Sequence, residues 1–297
     1  MCPGAALSEA AIERAASLSC FTEPTDIAVL DGGITNVNLV VRDGDRRYVV
    51  RLGDDIPEHG VMRWNELVLS RAAEAAGISP AVVHHEPGAL VLDFVEARTF
   101  TEADVRDPVN LPRIIDLILR VHRNLKAHLT SPVLAFWPFQ VNRTYATRLS
   151  SEGSTHSGLL PHLMETCDDL ERAVGQVDLV IGHNDLLAAN ILDDGDRLWL
   201  IDWEYGGFNS PLFDLSGLAS NNGLSEDQER EMLRHYFGEE PDRIWRAYTA
   251  MKCASLMRET LWSMTSEIHS DLDFDYAGYT EENLQRLNAA LAAFKDL

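Results

Sequence analysis

Short apolar runs separated by polar turns fill the first 95 residues of the chain and predict a small antiparallel sheet. The turns Asp43-Gly44-Asp45 and Pro87-Gly88 each lie between two such runs and therefore predict hairpins. A run at helical spacing between them stops before Gly77, a residue typical of the end of a helix. The predicted order is helix, three strands, helix and two strands, at residues 7–18, 26–30, 37–42, 46–52, 64–76, 81–85 and 89–95.

Beyond residue 96 the apolar positions take up the spacing of helices. His122 lies on the apolar stripe of one of them, and we expect a core histidine with one hydrogen-bonded nitrogen. Ser225 and Gln228 form a capping box, and Thr280 is expected to cap the last helix. The other helices are predicted at 112–125, 162–174, 225–237 and 244–265.

The composition is that of a globular protein with two lobes or domains. The chain has 297 residues, of which 45% are hydrophobic, so it can bury a substantial core. No window approaches the roughly 20 apolar residues of a membrane span, and the first residues do not resemble a secretory signal. The cysteines are scattered without a Cys-x-x-Cys pair, which indicates free thiols in a reducing cytosol. They are Cys2, Cys20, Cys167 and Cys253.

The formal net charge of −22 argues against nucleic acid or an anionic membrane as a partner. An acidic surface favours a cationic substrate, although the same charge would also serve solubility alone. An anionic nucleotide would need magnesium and a few placed cations at its site. We therefore expect a small cationic partner, no nucleic acid and no membrane insertion; a homodimer is an assembly that the sequence leaves open.

The most informative stretch surrounds the turn 193–196, which lies between two apolar runs and predicts a hairpin. Such a hairpin brings Asn190, just before one strand, beside Asp202, just after the other. Asp185 lies on the loop that leads into the hairpin, and His183 completes the spacing His-x-Asp-x-x-x-x-Asn. One end of the hairpin is therefore expected to carry an amide and two carboxylates.

This combination of side chains suits phosphoryl transfer. The oxygen atoms of Asn190 and Asp202 are ligands that Mg²⁺ prefers, and substrate phosphates would complete its coordination. Asp185 can accept a hydrogen bond from the attacking hydroxyl. The alternative is that these aspartates belong to ordinary solvated turns. Asp202 argues against it, because it follows an apolar run, where an unpartnered charge is costly.

These motifs resemble the protein-kinase-like small-molecule kinases, the choline/ethanolamine kinase and aminoglycoside phosphotransferase group. I-D-W-E-Y at 201–205 and F-D at 213–214 are most similar to choline kinase. The resemblance implies an α+β, bilobal protein-kinase-like fold. Its small N-lobe, with an antiparallel sheet plus a helix, is expected at 1–95, and its larger, mainly helical C-lobe at 96–297.

The same resemblance implies a role for each polar residue of the hairpin region. Asp185 would be the catalytic base, and Asn190 and Asp202 would hold Mg²⁺. His183 would support the catalytic loop. Asp214 would be taken, on sequence alone, for another metal ligand or base, but the resemblance implies that it braces the backbone of that loop.

An ATP site in the N-lobe is also implied. The loop G-G-I-T-N at 32–36 is similar to a phosphate-covering loop. Arg51 stands where a protein kinase has its phosphate-binding lysine, and Glu66 would pair with it. The alternatives are a plain turn, an edge-strand arginine and an acidic residue favoured in a first helical turn. With a hinge assigned by position, the predicted ATP-binding residues are Gly33, Thr35, Asn36, Arg51, Glu66, Phe94 and Val95.

The last third of the chain bears on the acceptor. Trp262 and Tyr279 align with the choline kinase pattern and look like walls of a choline pocket, where ring faces attract a quaternary ammonium. Two positions depart from that pattern, Asn221 in place of a glutamate and Glu259 in place of a tryptophan. We expect Glu259 to replace the missing carboxylate, a change that also suits the primary ammonium of ethanolamine. The predicted acceptor-binding residues are Asp185, Glu204, Asn221, Glu259, Trp262 and Tyr279.

The predicted function is phosphorylation of the hydroxyl of choline or ethanolamine by ATP and Mg²⁺ in the cytoplasm. The first alternative is another acceptor, such as thiamine or an aminoglycoside. A nucleotide-binding regulatory protein without turnover is a second alternative, against which the intact Asp185, Asn190 and Asp202 argue. A scaffold protein has only the acidic surface in its favour.

Overall fold

A computed structural model of the chain describes residues 3–30, 36–238, 242–270 and 274–297. The fold is α+β and bilobal, as predicted: an antiparallel sheet forms the N-terminal region, and helices dominate the rest. Two residues predicted to contact ATP, Gly33 and Thr35, lie outside the described residues.

The described residues of the N-lobe form five antiparallel strands in the spatial order β1-β2-β3-β5-β4. They are β1 (Pro24–Leu30), β2 (Val37–Asp43), β3 (Arg46–Leu52), β4 (Val82–Glu86) and β5 (Ala89–Asp93). The predicted strands are thereby confirmed. Arg51 lies on the central strand β3, opposite Asn38 of β2 and Leu90 of β5. The alternative of an edge-strand arginine is therefore wrong.

Two helices belong to this region, α1 (Pro3–Ala16) and α2 (Arg63–Ala75). Ala15 and the nearby Leu18 pack with strand residues in a small core of the sheet. Helix α2 behaves differently, because Leu69 and its neighbours are buried in the larger core that the C-lobe helices form. Burial of this apolar face helps to join the sheet region to the helical region.

The helical region begins just after the sheet. Its helices are α3 (Glu102–Arg106), α4 (Asn110–Asn124), α5 (Pro138–Ser151), α6 (Leu160–Val174), α7 (Pro211–Asn222), α8 (Glu226–Phe237), α9 (Asp242–His269) and α10 (Tyr276–Lys295). Short 3₁₀ turns occur at Leu125–His128 and Ala188–Asn190. The five short strands are β6 (Arg98–Thr99), β7 (Val180–Gly182), β8 (Ile191–Asp193), β9 (Leu198–Leu200) and β10 (Gly207–Asn209). Among the described residues, no helix combines the length and hydrophobicity needed to cross a bilayer.

Most predicted helices are confirmed, including the capping box of Ser225 and Gln228. The start of the last helix was predicted wrongly. Asp275 caps α10 by accepting a hydrogen bond from the backbone N–H of Gly278, and Thr280 is buried one turn later, where its hydroxyl donates to Ser263 of α9. The carboxylate of Asp275 takes the capping position because packing against α9 uses the Thr280 hydroxyl. Helices α3, α5 and α7 were not predicted.

Candidate active site

The two ends of the β8–β9 hairpin meet as the sequence predicts. Asn190 immediately precedes β8, and Asp202 lies two residues after β9. The backbone N–H of Ile201 donates to the carbonyl of Asn190 over 3.0 Å, which holds the two ends side by side. The side-chain amide of Asn190 donates to the carbonyl of Asp185 at 2.9 Å, so the third predicted residue joins them.

Asp214, in the first turn of α7, braces the loop before the hairpin. Its carboxylate accepts hydrogen bonds from the backbone N–H groups of His183 and Asn184 at 2.8 and 2.7 Å, and from His122 at 2.8 Å. Burial alone would raise the pKa of Asp214, but the hydrogen bond from His122 lowers it below its ordinary value. His122 was expected to have one hydrogen-bonded ring nitrogen, but both of its ring nitrogens form hydrogen bonds. The second is bonded to the hydroxyl of Tyr236.

His183 lies behind this loop and does not line the central cavity. Its Nε2 donates to the carbonyl of Ile201 at 2.8 Å, and its ring packs edge-on against Trp203 with centroids 4.8 Å apart. Burial lowers the pKa of His183, so its ring is neutral. His183 therefore acts by joining the loop to the hairpin, which is a positioning task.

Two non-glycine residues of the site have left-handed backbone conformations, Asn184 with φ of 67° and Asp202 with φ of 70°. Such conformations are uncommon outside glycine and are maintained by surrounding contacts. The amide nitrogen of Asn184 donates to the carbonyl of Tyr205 at 2.9 Å, and its oxygen accepts from Asn209 at 3.0 Å. We did not predict Asn184; its one sequence signal is its place inside the His-x-Asp motif.

Arg51 is the buried cation of the nucleotide side. Its Nε lies 2.9 Å from Glu66 of α2, as expected, and its Nη2 donates to Asp202 at 2.7 Å. Burial alone would lower the pKa of Arg51, but these carboxylates raise it above its ordinary value. The guanidinium therefore stays charged and joins the sheet, α2 and the hairpin.

A second arginine, which we did not predict, reinforces this network. Arg63, the first residue of α2, lies 2.7 Å from Glu66 and 3.1 Å from the buried Glu204. Glu204 also accepts a hydrogen bond from the amide of Asn36 at 2.9 Å. Glu204 was predicted to bind the acceptor, yet these partners all come from the N-lobe. In the sequence, the three-residue spacing of Arg63 and Glu66 does not by itself indicate a buried network. It can be recognised as part of one only when their partners are known.

A cavity of about 460 Å³ lies between the two lobes and extends from the hinge to α9. Glu66 and His183 stand behind its walls and do not line it. Twelve of the predicted site residues do line it: Asn36, Arg51, Phe94, Val95, Asp185, Asn190, Asp202, Glu204, Asn221, Glu259, Trp262 and Tyr279.

The hinge end of the cavity is an apolar slot. Phe94 is fixed there, because its backbone N–H donates to the carbonyl of Arg47 and the guanidinium of Arg47 lies 4.1 Å from its ring centroid. A slot with aliphatic walls suits a flat heterocycle such as a nucleobase. Its walls are Leu30, Val49, Leu92, Leu187, Leu192 and Ile201.

The opposite end carries polar and aromatic side chains from α7, α9 and α10. Glu259 lines it as expected, but its carboxylate already has partners: one oxygen lies 2.5 Å from Arg258, and the other accepts from the hydroxyl of Tyr279 at 2.8 Å. Trp262 is only 4% exposed, and its indole N–H donates to the hydroxyl of Tyr205 at 3.0 Å. Arg258 was missed in the sequence, where nothing distinguishes it from a surface arginine.

Comparisons with known proteins agree with this geometry. The family model for choline/ethanolamine kinase matches residues 27–229, more than half of the chain. The chain belongs to the choline/ethanolamine kinase family. It is 25% identical over 282 residues to a probable ethanolamine kinase of Arabidopsis thaliana, which covers 84% of this chain and 75% of that protein.

Two solved structures show the same fold. A choline/ethanolamine kinase family protein from Mesorhizobium loti has a TM-score of 0.74 and 26% identity, covering 96% of this chain and 95% of that one. LicA in complex with AMP has a TM-score of 0.72 and 20% identity, covering 96% and 99%. Family and fold together identify the chain as an ATP-dependent phosphotransferase with an alcohol acceptor, as predicted.

The kinase holds Asp185 in surroundings that suit a base. Desolvation raises the pKa of Asp185 to about 8. The positive charge of Arg258 opposes this rise, and the nearby carboxylates of Glu259 and Asp202 add to it. A carboxyl group whose pKa lies near neutrality can take up a proton from a hydroxyl and release it again.

Asn190 and Asp202 fit a magnesium ion. Because Asn190 uses its amide nitrogen to bond the carbonyl of Asp185, its amide oxygen is oriented as the ligand atom. Asp202 adds a carboxylate on the same cavity wall. No group of three or more His, Cys, Asp or Glu side chains in the described ranges forms a separate metal site. A pair of oxygen ligands completed by phosphates is typical of Mg²⁺ in kinases.

Proposed function

We propose that the kinase uses ATP and Mg²⁺ to phosphorylate the hydroxyl of a small amino alcohol, choline or ethanolamine. One observation carries the proposal: Asp185 shares a cavity with the ligand pair Asn190 and Asp202 and with the acidic and aromatic side chains of α9 and α10. AMP bound to LicA supports an adenine nucleotide in the apolar slot. In this proposal residues 1–95 bind the nucleotide, and residues 96–297 supply the catalytic and acceptor groups.

The reaction needs one proton transfer and one displacement at phosphorus. The carboxylate of Asp185 orients the acceptor hydroxyl and takes its proton while the oxygen bonds to the γ-phosphorus and ADP leaves. Arg51 holds the phosphates from the N-lobe, since a guanidinium binds phosphate oxygens bidentately. Asn190 and Asp202 would hold Mg²⁺, which when bound would neutralise charge on the phosphates.

An acceptor panel with ADP release as the readout tests the proposal. We expect turnover with choline or ethanolamine and none with thiamine or an aminoglycoside. Asp185→Asn should lower kcat by about 10²- to 10⁴-fold, the usual contribution of a general base, with ATP affinity nearly unchanged. Asp196→Asn, in the exposed turn of the same hairpin, is the matched control. Turnover of neither amino alcohol, or full activity of Asp185→Asn, would contradict the proposal.

We also propose that the reaction takes place in the cytosol. Free thiols persist in a reducing compartment, and Cys20, Cys167 and Cys253 are all free. The cytosol also supplies the ATP that the reaction consumes.

A further inference from the structure

Arg258 is an unexpected cation in a pocket that is expected to bind a cation. It lies on α9, next to Glu259, and lines the same cavity as Asp185 and Trp262. Its residue exposure is 5%, so the guanidinium is almost fully removed from water. A buried charge requires partners, and the kind of partner shows what this part of the pocket can bind.

The guanidinium is held by a ring face and a carboxylate. Its central carbon lies 4.6 Å from the ring centroid of Tyr205 and 5.7 Å from that of Phe136. One Nη atom is ion-paired with Glu259. Tyr205 is fixed in this orientation, because its hydroxyl accepts the hydrogen bond from Trp262 and Phe136 packs edge-on against it.

The guanidinium forms one hydrogen bond in this contact, in which Nη1 donates to Glu259 at 2.5 Å. Nε and Nη2 of Arg258 form no hydrogen bond with the described protein residues. The side chain is therefore bound chiefly by the charge of Glu259 and by an aromatic face. A quaternary ammonium, which has no N–H group to donate, is recognised in the same way.

We propose that Arg258 is a specificity-determining residue: its guanidinium occupies the aromatic and anionic position that a quaternary ammonium would take. The pocket then favours acceptors whose nitrogen carries N–H donors. Glu259 retains lone pairs that can accept hydrogen bonds after pairing with Arg258 and Tyr279. Asn221 also lines the cavity, and its side-chain amide has an oxygen that can accept a hydrogen bond. This inference rests on the proposed function and refines its acceptor to a primary ammonium alcohol.

Charge compensation points in the same direction. The positive charge of Arg258 weakens the attraction of Glu259 for any second cation. A quaternary ammonium loses most of its binding in this way, because charge and ring faces are all that it uses. A primary ammonium keeps its charge-assisted hydrogen bonds, which are shorter and stronger than neutral ones.

The test compares kcat/KM for ethanolamine and choline at saturating MgATP in wild-type protein, Arg258→Met and Arg258→Lys. We expect the wild type to favour ethanolamine. Arg258→Met should move the ratio toward choline by about tenfold or more, mainly through the KM for choline, because the Tyr205 face becomes free. The KM for ATP should not change. Arg258→Lys keeps the charge and should keep most of the preference.

Arg246→Met is the matched control. Arg246 lies on the same helix and also covers an aromatic ring, Phe294 at 4.8 Å, but it does not line the cavity. Its ratio of kcat/KM for ethanolamine to kcat/KM for choline should equal that of the wild type. Thermal unfolding of each variant checks that it is folded.

Three results would overturn the inference: a wild type that prefers choline, an Arg258→Met ratio within twofold of the wild type, or an equal shift in Arg246→Met. The first result needs no variant, so the inference stays testable if Arg258→Met does not fold. Calorimetric titration with choline and ethanolamine distinguishes a failure of this inference from a failure of the proposed function. If neither is phosphorylated, the proposed function fails, whereas the binding preference and its loss in Arg258→Met can still be measured.

Discussion

The guanidinium of Arg51 donates a 2.7 Å hydrogen bond to Asp202, which ties the centre of the N-lobe sheet to the end of the β8–β9 hairpin. The same guanidinium lies 2.9 Å from Glu66 of α2. Three elements that are distant in the chain thus share one buried cation. Loss of this cation would leave the partly buried Asp202 without this ion pair and the buried Glu66 with Arg63 as its remaining counter-charge.

Arg51→Met should therefore destabilise the kinase by about 3 to 5 kcal/mol, as expected when one partner of a buried ion pair is removed. Arg42→Met is the control, because Arg42 forms an exposed ion pair with Asp26 on the same sheet. Its loss should cost about 1 kcal/mol or less. Urea unfolding measures both values, and equal losses would show that the Arg51 network contributes no more than a surface pair.

Replacement of Asp214 should affect the reaction through the loop that it braces. Asp214→Asn puts an N–H donor where a carboxylate oxygen accepts a backbone N–H, so the loop that carries Asp185 should shift. We expect kcat to fall at least tenfold and stability to fall by about 1.5 to 3 kcal/mol. Steady-state kinetics and urea unfolding test this, with Asp116→Asn, an exposed carboxylate, as control. Unchanged kcat would refute the bracing role.

The magnesium requirement should depend on Asn190. Asn190→Ala removes an oxygen ligand, so we expect the Mg²⁺ concentration for half-maximal activity to rise about tenfold or more, with partial recovery at high Mg²⁺. Removal of Mg²⁺ by a chelator should abolish turnover in every variant. Asn110→Ala, at an amide that does not line the cavity, should keep the wild-type requirement. The same requirement in Asn190→Ala would show that the metal binds elsewhere.

His59 should make stability depend on pH. Its ring nitrogens lie 3.2 Å from the hydroxyl of Tyr145 and 3.3 Å from that of Ser266, and its ring stacks on Trp262. Burial lowers the pKa of His59 from 6.5 to about 3. Below pH 6.5 the imidazole of His59 is protonated in the unfolded chain but stays neutral in the folded chain. The free energy of unfolding therefore falls by roughly 1.4 kcal/mol per pH unit.

His59→Gln removes this dependence. The free energy of unfolding of the wild type, taken relative to that of His59→Gln, should therefore fall by roughly 2 to 3 kcal/mol as the pH is lowered from 6.5 to 4.5. His128→Gln, at an exposed histidine, should keep the wild-type pH dependence. Urea unfolding at several pH values measures the differences. A constant difference between the wild type and His59→Gln would mean that the imidazole titrates normally in the folded protein.

The contacts that the residue pattern alone predicted, without the family resemblance, are those whose partners are close in the chain. Asn190 and Asp202 are brought together by one short hairpin, and the strand and turn pattern around them is local. The strands of the sheet follow in the same way from alternating apolar runs and their turns. The last helix was predicted wrongly because Thr280 and Asp275 are both good caps, and contact with α9 decided between them.

The sequence by itself determined most of the elements and the hairpin that brings Asn190 beside Asp202, because side-chain periodicity and turn chemistry act over a few residues. The kinase-like fold class followed from the resemblance of its motifs. Only the tertiary structure decided which charges are buried together. Arg258, Arg63 and His59 read as ordinary surface residues in the sequence, and each acquires its properties from partners on other elements. The burial and ion pairing of these side chains depend on contacts between segments distant in the chain, and a local sequence pattern does not predict those contacts.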